Sequence, residues 1–284
     1  MKFGMNLLLW AIDFPDSIGP ILEKIKNTGY DGVELPIFDL NPELWAAAGK
    51  KLDDLGLERT AVTVRGSDDN PISPDPKIRR ASVEANKLTV DCVKAAGASL
   101  LVGPIYAALG EFSGNPPSQE EWNWGVESIR EVSEYAGSCG VTLGLEPINR
   151  FEIYLLNTTQ DARRFIEDVN HPACKMMIDA HHIHLEEKSV TKAIETCGDL
   201  LAHVHISEND RSTPGSGNVS WDEVFDTLKA INYDGWLTIE AFSGGFKELV
   251  AATKIWRKMF ESEEQLIRDG LSFMKSEYAK RWNS

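Results

Sequence analysis

The sequence predicts an α/β protein with the fold of a (β/α)8 (TIM) barrel, formed as a single domain with a C-terminal helical extension. Short apolar runs alternate eight times with longer amphipathic stretches, and this alternation is typical of parallel strands joined by crossover helices. The chain has 284 residues, and such barrels run to about 250 residues as one unit. No GxGxxG motif follows the first run, which disfavours a doubly wound dinucleotide-binding sheet.

Each apolar run is interpreted as one barrel strand, and the runs span residues 3–9, 31–38, 58–64, 98–106, 141–147, 175–180, 201–207 and 236–242. The stretches between them are interpreted as helices. Three of these helices, over residues 18–29, 41–56 and 79–97, end on glycine (Gly29, Gly56 and Gly97). A glycine at that position predicts the left-handed conformation of a helix C-cap.

No linker divides the sequence, so we predict one domain over residues 1–284. Segments 67–76 and 110–118 are rich in Gly, Pro, Asn and Ser. They are predicted to be long βα loops that cover the face of the barrel where active sites lie. Residues from about 262 to 284 are predicted to form a charged helical tail, which packs beneath the barrel or forms a subunit contact.

The charge balance disfavours nucleic acid as a partner. The chain carries 29 Lys and Arg against 44 Asp and Glu, a formal net charge of −15, whereas a phosphate backbone is bound by a basic surface. No stretch approaches the roughly 20 apolar residues that span a bilayer. We therefore expect a soluble protein that binds neither nucleic acid nor a membrane.

The cysteines and the N-terminus predict a cytoplasmic location. The four cysteines (Cys92, Cys139, Cys174 and Cys197) are scattered and form no CxxC pair, as is usual for free thiols in a reducing compartment. The apolar stretch near the N-terminus has no small-residue cleavage site and is interrupted by Asp13, Pro15 and Asp16. It is therefore interpreted as the first strand rather than as a signal peptide.

Four candidate ligands follow successive strands of the predicted barrel. Glu146, Asp179, His205 and Glu240 are separated by 33, 26 and 35 residues, so that each comes one βα unit after the last. Side chains at the carboxyl ends of barrel strands point towards the active site. His203, two residues before His205, faces the same side of its strand and is interpreted as an interior barrel residue rather than as a partner of the site.

Three carboxylates and an imidazole at one level of the barrel predict a metal site. The carboxylates would repel one another and two of them would protonate unless a cation lay between them. This donor set suits Mn²⁺ or Mg²⁺, with Co²⁺ as an alternative, better than Ca²⁺ or a cysteine-rich Zn²⁺ site. Taken singly, any one of these carboxylates could instead be a strand-end charge at the solvent boundary.

The motifs around these residues resemble those of the ketose 3-epimerases, the D-tagatose/D-allulose 3-epimerase group of the xylose-isomerase-like barrel superfamily. The similarity is carried by LEPINRFExYLLNT (145–158), MIDAHHIHLEE (177–187), HVHISENDRSTPG (203–215) and TIEAF (238–242), and it is strongest over residues 140–260. The resemblance implies one divalent metal ion per subunit, Mn²⁺ first and Co²⁺ or Mg²⁺ as alternatives. It also implies a homodimer or homotetramer. Aromatic residues near the C-terminus could form the contact or could equally belong to the core (Trp256, Phe260 and Trp282).

The same resemblance implies the roles of individual residues. Glu146, Asp179, His205 and Glu240 would coordinate the ion, with Glu146 and Glu240 as the acid/base pair. Expected substrate contacts come from Glu152, His182 and Arg211, matched by motif, and from Trp10, Phe14 and Arg65 in the first half of the chain. Trp10 and Phe14 only partly match the pocket aromatics of better-known members. Arg65 stands near where those enzymes present small residues, which leaves open a phosphorylated or carboxylated substrate.

The predicted activity is reversible inversion of C3 in a free ketose of the tagatose, allulose or ribulose type, through a cis-enediolate bound to the metal. The proton beside a ketone is weakly acidic, so its removal needs a Lewis acid and a positioned base. Epimerisation also returns a proton on the opposite face, which Glu146 and Glu240 could do from different sides of the bore. The alternatives are a sugar or hydroxypyruvate isomerase, a sugar or cyclitol dehydratase, an endonuclease-like repair enzyme and a non-catalytic metal-binding scaffold.

Overall fold

Parallel strands form a closed barrel of eight in the described part of the chain. The computed structural model describes residues 1–245 and 247–283. The strands are β1 (Lys2–Asn6), β2 (Gly32–Pro36), β3 (Glu58–Val62), β4 (Leu100–Gly103), β5 (Thr142–Leu145), β6 (Cys174–Asp179), β7 (Leu201–His205) and β8 (Trp236–Ile239). Each strand pairs with the next along the chain, and β8 pairs with β1 to close the barrel. The fold class predicted from the sequence is therefore confirmed.

Helices surround this barrel and follow its strands. Those in the described residues are α1 (Gly19–Thr28), α2 (Pro42–Leu55), α3 (Pro76–Ala95), α4 (Gln119–Cys139), α5 (Thr159–Val169), α6 (Ala180–Glu186), α7 (Val190–Cys197), α8 (Trp221–Ala230), α9 (Lys247–Thr253) and α10 (Glu263–Trp282). Short 3₁₀ turns span Leu7–Leu9, Asp16–Ile18, Ser67–Asp69 and Gly198–Leu200. None of the helices in these described ranges is long and apolar enough to cross a membrane.

Helix α2 illustrates how local sequence sets the ends of these elements. Asn41 precedes it and its side chain accepts a hydrogen bond from the backbone N–H of Glu43, while Pro42 supplies a first residue that needs no N–H partner. Gly56 ends the helix at φ 62°, a left-handed conformation that glycine adopts without steric cost. The C-cap expected at this glycine is confirmed.

The predicted C-terminal tail corresponds to α10, which packs against the barrel. The Tyr30 hydroxyl donates to the backbone carbonyl of Ile267 at 2.8 Å, and the rings of Phe3 on β1 and Tyr278 meet edge to face. Leu266, Ile267 and Leu271 are buried in the main hydrophobic core. The extension thus covers one side of the barrel, and Ser284, the last residue of the predicted tail, lies outside the described residues.

The apolar core has two parts. The larger cluster fills the space between the strands and the helices. A smaller cluster joins Val62, Val102 and Met177, on β3, β4 and β6, with Phe242 after β8. Buried polar side chains also lie on the strands, among them Asn6, Glu34, Thr60, His203, His205 and Thr238. A charged group buried in this way needs partners, and those partners define the site.

Candidate active site

The carboxyl ends of four successive strands bring together the four predicted ligands. Asp179 and His205 are the last residues of β6 and β7, while Glu146 and Glu240 follow β5 and β8 directly. The Nδ1 atom of His205 lies 3.6 Å from Asp179 Oδ2 and 3.6 Å from Glu240 Oε2. Arg211 Nη1 donates to the same two oxygens, at 2.7 and 2.8 Å. All five side chains are buried.

The pKa shifts in this cluster indicate that its buried carboxylates need nearby positive charge to stay ionised. Burial, and then the neighbouring Glu240 carboxylate, raise the pKa of Glu146 well above its usual range. Burial would also raise the pKa of Asp179, but the Arg211 guanidinium holds it well below its usual range. Burial alone would lower the pKa of His205. Its carboxylate neighbours, Glu34 first and then Glu240, raise the pKa, and the net result lies well above the usual value. A cation among these groups would relieve the repulsion between the carboxylates.

The residues fit a divalent metal ion. Ligand atoms of Asp179, His205 and Glu240 all lie within 4.8 Å of one another, as do those of Glu146, Asp179 and His182. The Nδ1 atom of His205 is buried and has no hydrogen-bond partner, although buried polar atoms nearly always have one. An imidazole nitrogen and carboxylate oxygens are suitable ligands for such an ion.

A second wall of the site carries the three residues whose substrate role was inferred by motif. The backbone N–H of Asn149 donates to His182 Nδ1 at 3.2 Å, and its side-chain amide donates to Glu152 Oε1 at 2.6 Å. Arg211 Nη2 lies 3.3 Å from His182 Nε2. Burial lowers the pKa of His182 well below its usual range, so the imidazole is neutral. The structure therefore places Glu152, His182 and Arg211 side by side next to the four predicted ligands.

These groups form one end of a cavity of about 580 Å³. The polar end is lined by Glu146, Glu152, His182, Arg211 and Glu240. The remainder is lined mainly by apolar residues, among them Leu8, Ile12, Phe38, Val62, Val64, Leu109, Phe242, Leu249, Ile255 and Met259, and also by the charged residues Asp210, Lys254 and Arg257. The cavity thus joins a polar end to a mainly apolar remainder that carries a few charged side chains, and its size is that of a small-molecule site.

Comparison with known proteins agrees with this architecture. The family described as xylose isomerase-like TIM barrel matches residues 22–277. The chain is 30% identical to a probable ketose 3-epimerase of Synechocystis sp., over 98% of this chain and 97% of that protein. It is 31% identical to a D-psicose 3-epimerase of Ruminiclostridium cellulolyticum, over 95% of this chain and 93% of that protein. The chain belongs to the ketose 3-epimerase group of the xylose isomerase-like family.

A solved structure of the same group is similar over nearly the whole chain. The D-allulose 3-epimerase from Methylomonas sp., crystallised in complex with D-allulose, matches with a TM-score of 0.92 at 29% identity. The match covers 98% of this chain and 97% of that chain. Membership of the group makes this chain an enzyme of the isomerase class, as predicted, and sets aside the non-catalytic scaffold.

Trp10, Phe14 and Arg65 do not join the other predicted contacts in this epimerase-like site. They are absent from the described lining of the cavity. Phe14 is buried and its ring packs edge to face on Trp45 of α2, while Trp10 packs against the main core. The Arg65 guanidinium is held by other residues, because Nη1 donates to Asp69 at 2.9 Å and Nη2 donates to Thr63 at 2.8 Å. Their position does not support the substrate contacts assigned to them from the sequence.

The loops around the cavity also differ from the expectation. Segments 67–76 and 110–118 lie together at a separate groove, which is lined by residues of both. The described lining of the main cavity contains neither segment. One wall is instead supplied by residues 249–259, after β8, including Leu249, Ile255 and Met259. This wall of the cavity therefore comes from the segment that follows the last strand.

The loop after β7 holds Arg211 in an unusual backbone conformation. Arg211 has a φ of 63°, which is uncommon for a residue other than glycine. Its backbone N–H donates to the carbonyl of Glu208. The side-chain carboxylate of Glu208 is fully buried and accepts four hydrogen bonds across the loop. They come from the backbone N–H groups of Asn209, Gly215 and Val219 and from Trp221 Nε1. Glu208 therefore organises the loop that carries Arg211.

Glu208→Ala is expected to lower the free energy of unfolding by on the order of 3 kcal/mol, because each buried donor left without an acceptor costs about 1–3 kcal/mol. Urea unfolding followed by fluorescence measures the effect. Glu223→Ala, at an exposed position of α8, is the control and is expected to stay within about 0.5 kcal/mol of the wild type. A Glu208→Ala protein as stable as this control would contradict the role of Glu208.

Proposed function

We propose that this enzyme inverts C3 of a free ketose by removing the C3 proton on one face and returning a proton on the other. One observation carries the proposal: two carboxylates, Glu146 and Glu240, line the same cavity from strands that are not neighbours in the barrel order. A base on each side of a bound sugar is what inversion at a carbon requires, whereas an aldose–ketose isomerase needs only one. The names of the relatives support the same reaction.

In this proposal Glu146, Asp179, His205 and Glu240 hold one divalent ion, Mn²⁺ first and Co²⁺ or Mg²⁺ as alternatives. When bound, the ion acts as a Lewis acid that makes the proton beside the ketose carbonyl easier to remove. The ligand-atom spacing of 4.8 Å or less among Asp179, His205 and Glu240 and the unpartnered His205 nitrogen support this assignment.

Proton transfer falls to the two glutamates. One carboxylate takes the C3 proton to give an enediolate, and the other, in its protonated form, delivers a proton to the opposite face of C3. In the reverse direction the two exchange roles. Burial beside Glu240 raises the pKa of Glu146, and this shift favours the protonated form that a proton donor needs.

The neighbouring residues orient the sugar. The Arg211 guanidinium donates hydrogen bonds to oxygens of the sugar. Neutral His182 and the Glu152 carboxylate accept hydrogen bonds from the sugar hydroxyl groups or exchange protons with them. Asn149 fixes both His182 and Glu152 through its backbone and side-chain N–H groups. Burial raises the pKa of Glu152. Holding the reacting atoms in place in this way accounts for a large share of catalysis in general.

A panel of free and phosphorylated ketoses, assayed with Mn²⁺ in D₂O, tests the proposal. We expect free ketoses to give 3-epimers that carry deuterium at C3. Phosphorylated ketoses should have a kcat/KM at least about tenfold lower, which corresponds to 1.4 kcal/mol, because carboxylates line the reactive end of the cavity and Arg65 is bound to Asp69. Chromatography and mass spectrometry identify the products.

The alternatives give different products in the same assay. An aldose product with unchanged C3 would identify an isomerase, and a product lighter by one water would identify a dehydratase. Preferred turnover of phosphorylated ketoses would overturn the assignment of a free sugar.

We also propose a cytoplasmic homodimer or homotetramer. The four cysteines are free thiols in the described residues, which supports a reducing compartment. Phe151 and Trp256 are 74% and 71% exposed, after β5 and β8, and exposed aromatic side chains are typical of contact surfaces. Of the other aromatics considered for such a contact, Phe260 is partly buried and Trp282 stacks on Tyr278.

A further inference from the structure

A buried carboxylate lies behind the proposed metal ligand His205. Glu34 on β2 is fully buried, and its two oxygens are surrounded by hydrogen-bond donors. Oε1 lies 2.6 Å from His205 Nε2 and accepts from Asn6 Nδ2 at 3.0 Å. Oε2 accepts from the Thr60 hydroxyl at 2.8 Å and lies 3.0 Å from His203 Nε2.

The strand register explains how these groups meet. Asn6, Glu34 and Thr60 occupy paired positions on β1, β2 and β3, and His205 ends β7. Both oxygens of Glu34 face donors on the neighbouring strands, Oε1 the Asn6 amide N–H and Oε2 the Thr60 hydroxyl. An amide N–H can only donate, so Glu34 is the acceptor at the centre of this network.

This acceptor determines which nitrogen of His205 carries a proton. The Glu34 carboxylate accepts from this neighbour as it does from Asn6 and Thr60, so the 2.6 Å contact places a proton on Nε2. A histidine that coordinates a cation is neutral, and with Nε2 protonated the free lone pair is then on Nδ1. That atom is the one that faces Asp179 and Glu240 at 3.6 Å and has no hydrogen-bond partner.

We propose that Glu34 is a positioning residue that fixes the tautomer and the ring orientation of His205, so that Nδ1 faces the divalent ion. This inference rests on the metal site of the proposed function. Asn6 extends the same network to a second proposed ligand, because its amide donates both to Glu34 and to Glu240 Oε1, at 3.0 and 3.2 Å. Partners of this kind behind a metal ligand typically change metal affinity by about 10–100-fold when removed.

Glu34→Gln tests the inference through metal affinity. The amide is nearly the same size but carries N–H groups, and it cannot accept from every donor around Glu34. We expect the dissociation constant for Mn²⁺ to rise by about 10–100-fold, measured on metal-stripped protein in competition with a fluorescent chelator. In nitrogen-15 NMR spectra of the Mg²⁺-loaded wild type, the His205 Nε2 proton should be visible and protected, and the variant should lose that protection.

Two further variants separate positioning from a general effect on the fold. Glu277→Gln removes a buried carboxylate of α10 that pairs with Lys280 and Arg281, away from the site, and it should bind Mn²⁺ with wild-type affinity. Thr60→Val removes one donor to Glu34 while keeping the side-chain shape, and it should weaken Mn²⁺ binding in the same direction but less. If Glu34→Gln does not fold, the Mn²⁺ affinity of Thr60→Val tests the inference instead.

Wild-type affinity for Mn²⁺ in Glu34→Gln, or in Thr60→Val if that variant decides, would overturn the inference. An equal loss of affinity in Glu277→Gln would overturn it as well. Tight Mn²⁺ binding by the wild type, weak binding by Glu34→Gln and no epimerisation of any ketose would support the role of Glu34 and refute the proposed reaction. A wild type that binds none of Mn²⁺, Co²⁺ and Mg²⁺ would refute both.

Discussion

Glu240→Gln and Glu146→Gln are each expected to slow C3 epimerisation by about 10²–10⁴-fold, the usual contribution of a positioned acid or base. Glutamine keeps the side-chain length but can neither take nor return the C3 proton. Both glutamates line the reactive end of the cavity, so either substitution interrupts one face of the reaction. Rates of 3-epimer formation at saturating Mn²⁺ measure the effect, and the bound metal is quantified in the same samples because both residues are proposed ligands.

The matched control is Glu58→Gln. Glu58 lies at the first position of β3, is exposed and pairs with Lys2, so it is at the opposite end of a barrel strand from the site. Its epimerisation rate should equal that of the wild type. Full activity in both Glu146→Gln and Glu240→Gln, with metal bound, would show that these two residues do not transfer the C3 proton.

The fold could be predicted because its signals are local and repeated. Each strand lies in a short, mostly apolar run, and glycine marks the ends of several helices, among them α1 and α2 at Gly29 and Gly56. All eight predicted strands are present, although the structure shortens several of them. The run over residues 98–106, for example, contains only four strand residues, Leu100–Gly103, because the chain turns into the loop at Pro104. Hydrophobic pattern alone does not mark that turn.

The four predicted ligands could be found because position along a barrel strand determines position at the site. Glu34 could not be found in the same way, since it lies within the apolar run 31–38 and was counted as part of a strand. A charge inside a buried strand was nevertheless a usable signal. His203, interpreted as an interior residue, is indeed buried in the barrel, but it also contacts Glu34 behind the proposed ligand His205.

Loop residues were harder to assign because their direction depends on contacts distant in sequence. Arg65 follows β3, yet its guanidinium is bound by Thr63 and Asp69. The wall formed by residues 249–259 comes from a segment whose three basic residues, Lys254, Arg257 and Lys258, form no recognisable site motif. Arg211 was located by its motif, whereas the backbone conformation that aims it depends on hydrogen bonds to Glu208.

Chelation of divalent cations is expected to abolish epimerisation, and Mn²⁺ should restore it. Without an ion, the carboxylates of Glu146, Asp179 and Glu240 repel one another, and no Lewis acid assists removal of the C3 proton. An ion that binds only the folded state also stabilises it, by about 2.7 kcal/mol at 100 times its dissociation constant. The melting temperature should therefore fall on chelation and recover with Mn²⁺.

Asp179→Asn separates the ion from other effects of the chelator. Asp179 is a proposed ligand but not one of the two proton-transferring residues, so its loss should weaken Mn²⁺ binding and abolish the Mn²⁺-dependent rise in melting temperature. The variant also loses a carboxylate partner of Arg211, and for this reason the comparison is between metal-free and metal-loaded samples of the same protein. Activity that survives complete removal of divalent cations, verified by elemental analysis, would show that the two glutamates work without a metal.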